Sequence, residues 1–247
     1  MRVGVIGARG RMGLAVCEAV RAAPDLELAA QIDVDSGSDD LDALARCDVA
    51  VVFSVPDVGL EHVRACIRAG VHAVVGTTGW NAERLDAVRA ELEFAAGVGV
   101  LVAPNFALGA VLLMRFAQLA APHYESVEVI ELHHPDKVDA PSGTAGHTAQ
   151  AIAAARVASG AAPMPDATTT ALDGARGADV AGVRVHSVRL RGLVAHEEIL
   201  LGNPGEVLTL RHDSLDRSSF MPGVLLGVRT VATRPGLTVG LEHYLAL

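Results

Sequence analysis

From Glu131 to Ala145 the chain reads Glu-Leu-His-His-Pro-Asp-Lys-Val-Asp-Ala-Pro-Ser-Gly-Thr-Ala, which gathers two imidazoles, an ammonium group and a Ser-Gly-Thr triplet. Imidazole titrates near ~6.5 when unperturbed, so a histidine beside a bound acid exchanges protons near neutral pH. His133 is the candidate for that role. Lys137 supplies a compact positive charge that could stabilise an anion, or donate a proton to a developing carbanion or imine nitrogen. Ser142 suits a helix N-cap, and the backbone N–H groups that follow it lie at the positive end of the helix dipole, a ready site for a carboxylate. An anionic substrate is therefore expected. The plainer alternative is polar decoration of a strand end followed by a turn and a cap.

A second constellation opens the chain. Residues 2–6 read as a short apolar strand, Gly7-Ala8-Arg9-Gly10-Arg11-Met12-Gly13 as a glycine-rich turn, and residues 14–21 as the start of a helix. This is the order a dinucleotide fold needs, with glycines that permit the tight turn and let a pyrophosphate approach backbone N–H groups. Asp33 follows a strand over 26–32, at the distance where an acid accepts hydrogen bonds from the adenosine ribose, which favours NAD. Arg9 and Arg11 flank the loop, and either guanidinium could reach a 2′-phosphate, so both NADH and NADPH are expected. No Lys-Ser or Lys-Thr follows the glycines, which rules out a P-loop.

These side chains need elements to hold them. Residues 127–132 alternate as a strand does, so His133 stands where the strand runs out, and Pro135 biases His134 toward extended backbone. Residues 143–155 form an Ala-rich run of strong helix propensity. Toward the N-terminus, strands at 48–53, 72–75 and 98–102 alternate with helices at 58–69 and 82–94, which predicts a Rossmann-like doubly wound parallel sheet of the α/β class. Ligands of such sheets bind at the carboxyl ends of the strands, here the glycine loop, Phe53-Ser54-Val55-Pro56, Gly76-Thr77-Thr78 and Ala103-Pro104-Asn105-Phe106. Beyond Ala121, strands at 127–133, 183–190, 193–201 and 207–212 predict a second, α+β domain with a mixed or antiparallel sheet. Residues 35–40 read as a polar surface loop, 159–166 as a linker and 173–179 as a mobile-looking loop. Residues 220–233 form an apolar helix, with Pro222 tolerable in its first turn, that could rejoin the first domain.

At 247 residues and 51% hydrophobic content the chain can bury a substantial core in one large domain or two smaller ones. A net charge of −9 argues against nucleic acid or an anionic membrane as partner, leaving the local basic residues to serve a small anion. The longest apolar stretches fall short of a membrane span of ~20 residues. No signal-peptide pattern opens the chain, so a cytoplasmic location is expected. Cys17, Cys47 and Cys66 lack paired spacing, which points to buried free thiols rather than a zinc site or a disulfide framework. No metal site is expected.

Taken together, the glycine loop, Gly76-Thr77-Thr78-Gly79, Ala103-Pro104-Asn105-Phe106 and above all the 131–145 cassette resemble the dihydrodipicolinate reductase family, in its shorter actinobacterial form, over essentially the whole chain. The resemblance implies a nicotinamide-binding domain built from residues 1–106 and 215–247, and a domain over 107–214 that binds substrate and assembles a homotetramer. It implies His133 as the acid/base residue, Lys137 as proton donor, and His134, Ser142, Gly143 and Thr144 as holders of the substrate's carboxylates, with Arg217 near the substrate. On the cofactor side it maps onto Gly7, Ala8, Arg9, Gly10, Arg11, Met12, Asp33, Phe53, Gly76, Thr77, Thr78, Ala103, Pro104, Asn105 and Phe106. Where many members read Asp-Phe-Thr-x-Pro this chain has Val52-Phe53-Ser54-Val55-Pro56, which loses a carboxylate and keeps a hydroxyl.

The implied reaction is NADH- or NADPH-dependent reduction of 4-hydroxy-tetrahydrodipicolinate, via dihydrodipicolinate, in lysine and diaminopimelate biosynthesis. Water leaves, hydride passes to ring carbon C4, and His133 or Lys137 neutralises the charge that builds on the enamine. Two other readings differ in what they require. A two-domain amino-acid dehydrogenase would share the first domain but not the His-His-x-x-Lys cassette, and a non-catalytic NAD(P)-binding sensor would have no need of His133 or Lys137.

Overall fold

The computed structural model describes residues 1–33 and 41–245, so the polar loop expected over 35–40 lies outside the described residues. Two compact units emerge, one formed by Met1–Leu108 with Arg217–Leu247 and the other by Gly109–Asp216. In the first, apolar runs give β1 (Arg2–Ile6), β2 (Glu27–Ile32), β3 (Val49–Val52), β4 (His72–Val75) and β5 (Gly99–Val102), linked by α1 (Arg11–Ala22), α2 (Pro56–Arg68) and α3 (Ala82–Leu92). These strands pair in parallel. Every residue of β3 and β5 is buried, as expected of parallel strands covered on both faces. A 3₁₀ turn at Leu41–Arg46, absent from the sequence reading, buries Ala43 and Leu44.

The second unit begins within α4 (Leu108–Ala120) and continues through β6 (Ser126–His133), α5 (Gly143–Ala158), β7 (Ala178–Val180), β8 (Val183–Arg189), β9 (Ala195–Asn203) and β10 (Glu206–Ser214). Its strands lie in the order β10-β9-β6-β8-β7, with β6 parallel to β8 and the other pairs antiparallel. Val127, Val129, Val183, Val185, Ile199 and Leu201 cover one face of this sheet and pack on Ala145, Ala149 and Ile152 of α5. Each such aliphatic side chain contributes roughly 1.5–3 kcal/mol through burial.

One expectation for this unit needs correction. The loop expected over 173–179 gives way at Ala178 to β7, which pairs with β8. Residues 159–166 form no helix or strand, as expected of a linker, and are anchored by the buried Arg156, which donates to the Ala162 carbonyl as well as to those of Ala121, Tyr124 and Glu125. The Val127 N–H also points at the Met164 sulfur, 3.0 Å away.

The chain returns to the first unit through a 3₁₀ turn at Arg217–Phe220, α6 (Met221–Thr230) and β11 (Gly236–Val239). β11 pairs with β5 in parallel and completes the order β11-β5-β4-β3-β1-β2. The helix expected over 220–233 is shorter, its last residues forming a separate 3₁₀ turn at Val231–Thr233. Arg229 of α6 donates to both Asp25 oxygens at 2.8 Å, and this pairing holds the Asp25 carboxyl down at about 2. Cys17, Cys47 and Cys66 are buried, and burial pushes the Cys66 thiol up to about 12. No described helix is long and apolar enough to cross a membrane.

Candidate active site and dinucleotide crevice

In the first unit the strand order reverses at β1, which lies between β2 and β3. Open parallel sheets bind ligands outside the carboxyl ends of the strands at such a switch point. A cleft of about 180 Å³ opens there, lined by residues of three strand ends and of α2, among them Gly7, Gly10, Asp33, Phe53, Ser54 and His62. Gly7 has φ +82°, and a Cβ on it would lie 2.6 Å from the Phe53 carbonyl oxygen. A Cβ on Gly13 would lie 2.0 Å from the Gly7 carbonyl oxygen. The glycines thus let the loop fold back onto α1, whose N-cap Gly10 contributes no side chain to the helix end, and free N–H groups there suit a pyrophosphate.

Asp33 accepts the Arg9 backbone N–H at 2.7 Å, which ties the end of β2 to the phosphate loop. Ala8 is buried, whereas Arg9 and Arg11 are exposed and Met12 is half-buried. Phe53 and Phe106 pack with ring centroids 5.9 Å apart, and Gly76 lies against the Phe53 ring. Thr77 is buried and donates to the Val52 carbonyl, while Thr78 and Pro104 are exposed and Asn105 accepts the Ala107 N–H at 2.8 Å. Ala103 is buried at the end of β5. The sequence reading passed over His62, a buried residue of α2 whose Nδ1 lies 3.0 Å from Ser54 Oγ. Its signal is faint, since a histidine inside an amphipathic helix looks like surface.

In the second unit the cassette is organised around Glu131. This residue belongs to the inward-facing phase of β6, in register with Val127 and Val129, and is 0% exposed. Its Oε2 lies 2.5 Å from His133 Nδ1 and accepts Arg189 Nη1 at 2.8 Å. Its Oε1 accepts Arg189 Nη2 at 2.7 Å and the Ser142 backbone N–H at 3.1 Å. Burial alone would raise the Glu131 carboxyl, but hydrogen bonds from His133, Arg189 and Ser187 outweigh it and hold the group well below the usual carboxylate range. A carboxylate in that state fixes the proton of His133 on Nδ1 and leaves Nε2 to exchange protons with a ligand.

Ser142 caps α5, its Oγ accepting the Ala145 N–H at 3.2 Å, and is itself buried. Both its hydroxyl and its N–H therefore serve the fold, and the exposed residue at this terminus is Gly143. Thr144 is half-buried, and its carbonyl accepts the Thr148 hydroxyl at 3.0 Å. Asp139 bridges the remaining members, with Oδ1 2.6 Å from Lys137 Nζ and Oδ2 accepting the Gly143 N–H at 3.3 Å. Burial would raise its carboxyl, and the Lys137 ammonium reverses that and lowers it. His134 is half-buried, and its carbonyl accepts the Lys137 N–H at 3.3 Å. Arg189 also donates to the Asp139 carbonyl at 2.6 Å, so one guanidinium joins both halves of the cassette. Arg217 belongs to the other unit, exposed at the start of its 3₁₀ turn.

Glu131, Arg189 and Asp139 received no role from the sequence. Glu131 left the clearest trace, as an acid in the apolar phase of an alternating strand two residues before a histidine. Arg189 left none, because only the parallel register of β6 and β8 sets it opposite His133.

Comparison with known proteins adds independent findings. Residues 1–106 match the family model of the dihydrodipicolinate reductase N-terminus, and residues 109–245 that of its C-terminus. Over the whole chain it is 63% identical to 4-hydroxy-tetrahydrodipicolinate reductase of Beutenbergia cavernae, covering 99% of that protein. It is 61% identical to the protein of the same name from Streptomyces coelicolor, covering 98% of it. Among solved structures, dipicolinate-bound dihydrodipicolinate reductase from Paenisporosarcina sp. TG-14 matches with a TM-score of 0.87 at 40% identity, over 99% of each chain. A probable dehydrogenase from Thermotoga maritima, at 14% identity and a TM-score of 0.65, shares the fold alone.

Proposed function

The chain belongs to the dihydrodipicolinate reductase family, and on that premise we propose that it reduces 4-hydroxy-tetrahydrodipicolinate, via dihydrodipicolinate, to tetrahydrodipicolinate in lysine and diaminopimelate biosynthesis. It is an NAD(P)H-dependent oxidoreductase. The observation that carries the proposal is the cassette itself, in which a carboxylate-oriented His133, Lys137 and the open end of α5 are joined through Glu131, Asp139 and Arg189. Following NAD(P)H absorbance with 4-hydroxy-tetrahydrodipicolinate tests it. Substrate-dependent loss of absorbance is expected with either cofactor, and a flat trace with both contradicts it.

The glycine cradle, the uncapped start of α1 and the Asp33 carboxylate fit a dinucleotide. When bound, the nicotinamide supplies the hydride that reduces the conjugated ring. The chain's own groups do the rest. The N–H groups of Gly143 and Thr144, with His134 and Lys137, hold the substrate's carboxylates and so fix the ring in place. His133, through Nε2, or Lys137, through Nζ, delivers the proton that neutralises the developing enamine charge.

Two predictions follow from this assignment. Asp33→Ala is expected to raise the KM for NADH about tenfold, and that for NADPH by less, because the ribose hydroxyls lose an anionic acceptor while Arg9 and Arg11 remain. Equal losses, measured in parallel titrations, would remove Asp33 from the adenosine site. Asp139 engages two donors that a substrate carboxylate needs, Lys137 Nζ and the Gly143 N–H, and so competes with it. Asp139→Asn should therefore tighten binding of dipicolinate by about threefold or more in calorimetric titration. Weaker binding would make Asp139 a support of the site instead.

We also assign the protein to the cytoplasm, as a homotetramer. In support of assembly, Ile130, Leu132, Val188 and Leu200 are half-buried on the face of the second sheet turned away from α5.

A further inference from the structure

Directly across the second sheet from Glu131 stands another carboxyl, that of Glu197 on β9. Strand register sets Ser187, Glu131, Glu197 and His212 in one transverse row over β8, β6, β9 and β10. Residues paired in this way share a face, here the one that α5 covers. Glu197 is 4% exposed, and among the described residues neither of its carboxyl oxygens has a hydrogen-bond partner.

The charged groups that share this face are engaged with other partners. From β6 come Glu131 and, two residues on, His133. From β10 comes His212, whose burial disfavours the charged imidazolium and lowers its pKa. From α5 comes Thr148, whose hydroxyl donates to the Thr144 carbonyl, while His147 is exposed. Arg189 of β8 spends its guanidinium on Glu131 and on the Asp139 and Val188 carbonyls. Two facing carboxyls in a buried setting ionise one after the other, and the first negative charge goes to the one with donors. Glu131 has the donors.

We propose that Glu197 holds the proton of this carboxyl pair and acts as a positioning residue for the Glu131–His133 couple. Neutral, it leaves Glu131 with the one charge that orients the imidazole; ionised, it adds a second charge that holds protons more tightly on the cassette. This rests on the reading of the cassette as the proton donor. Burial pushes the Glu197 carboxyl up to about 7, the nearby Thr148 hydroxyl, already given to the Thr144 carbonyl, offsetting part of the rise and the Glu131 charge adding to it, so the change of state falls in the working range.

Glu197→Gln keeps the shape and removes the ionisation. In the parent enzyme, infrared difference spectra are expected to show the C=O stretch of a protonated carboxylic acid at about pH 6, fading as the pH passes neutrality and absent from the variant. The alkaline limb of the kcat profile should move to lower pH in Glu197→Gln by about half a unit, a deficit that grows about threefold across the limb. Glu197→Asp should return the limb toward its parent position. No protonated-acid band at low pH, superimposable limbs, or a kcat loss equal at every pH would each overturn the proposal. Failure of the catalytic reading would register separately, as turnover retained by His133→Ala in the same assay.

Discussion

His133→Ala and Lys137→Ala are each expected to lower kcat by about 10²-fold or more while the Kd for NADH and NADPH stays within about twofold. The expectation follows from where the two groups stand. His133 Nδ1 is held by a buried carboxylate, which leaves Nε2 as its proton-exchanging atom, and Lys137 Nζ meets Asp139 beside the start of α5. Neither residue belongs to the unit that carries the glycine loop, so cofactor affinity has no reason to fall. Steady-state kinetics and cofactor titration separate the two effects. Parent-like kcat in either variant withdraws the role from that residue, and a larger loss for one of the pair identifies the group that delivers the proton.

Glu131→Gln is expected to cost the second unit roughly 3 kcal/mol of stability and to lower kcat at least about tenfold. The side chain is fully buried and receives Arg189 through both oxygens, so removing its charge strands a guanidinium in a poorly solvated place. The same change releases His133 from its oriented tautomer. The pH dependence has a definite sign. Glu131 titrates below its ordinary value of 4.5 in the fold, so its contribution is complete above that value and is lost as acid protonates it. The gap in melting temperature between parent and variant should therefore be widest near neutral pH and shrink below about pH 4.5. A gap that is constant with pH would show that Glu131 acts through packing alone.

Much of this was legible in the residues, for physical reasons that differ from place to place. The parallel sheet announced itself because β3 and β5 are unbroken apolar runs, the form that burial on both faces imposes. The α5 terminus was legible because Ser142 is a capping residue followed by an alanine-rich run. α4 was not, since its apolar residues extend nearly all round and lack the polar stripe that marks an amphipathic helix. β11 escaped because Pro235 and Gly236 mark a turn while its pairing with β5 is fixed far away in sequence. The cassette's reactive groups could be named from local spacing. Its supporting shell could not, because Arg189 and Glu197 meet Glu131 only through strand register.

Isotope transfer tests the central claim most directly. With cofactor deuterated at the hydride-bearing position and 4-hydroxy-tetrahydrodipicolinate as substrate, the expected product is tetrahydrodipicolinate carrying deuterium at ring carbon C4, formed in step with cofactor oxidation. Cofactor oxidation that leaves the heterocycle unlabelled, or no oxidation at all, would contradict it.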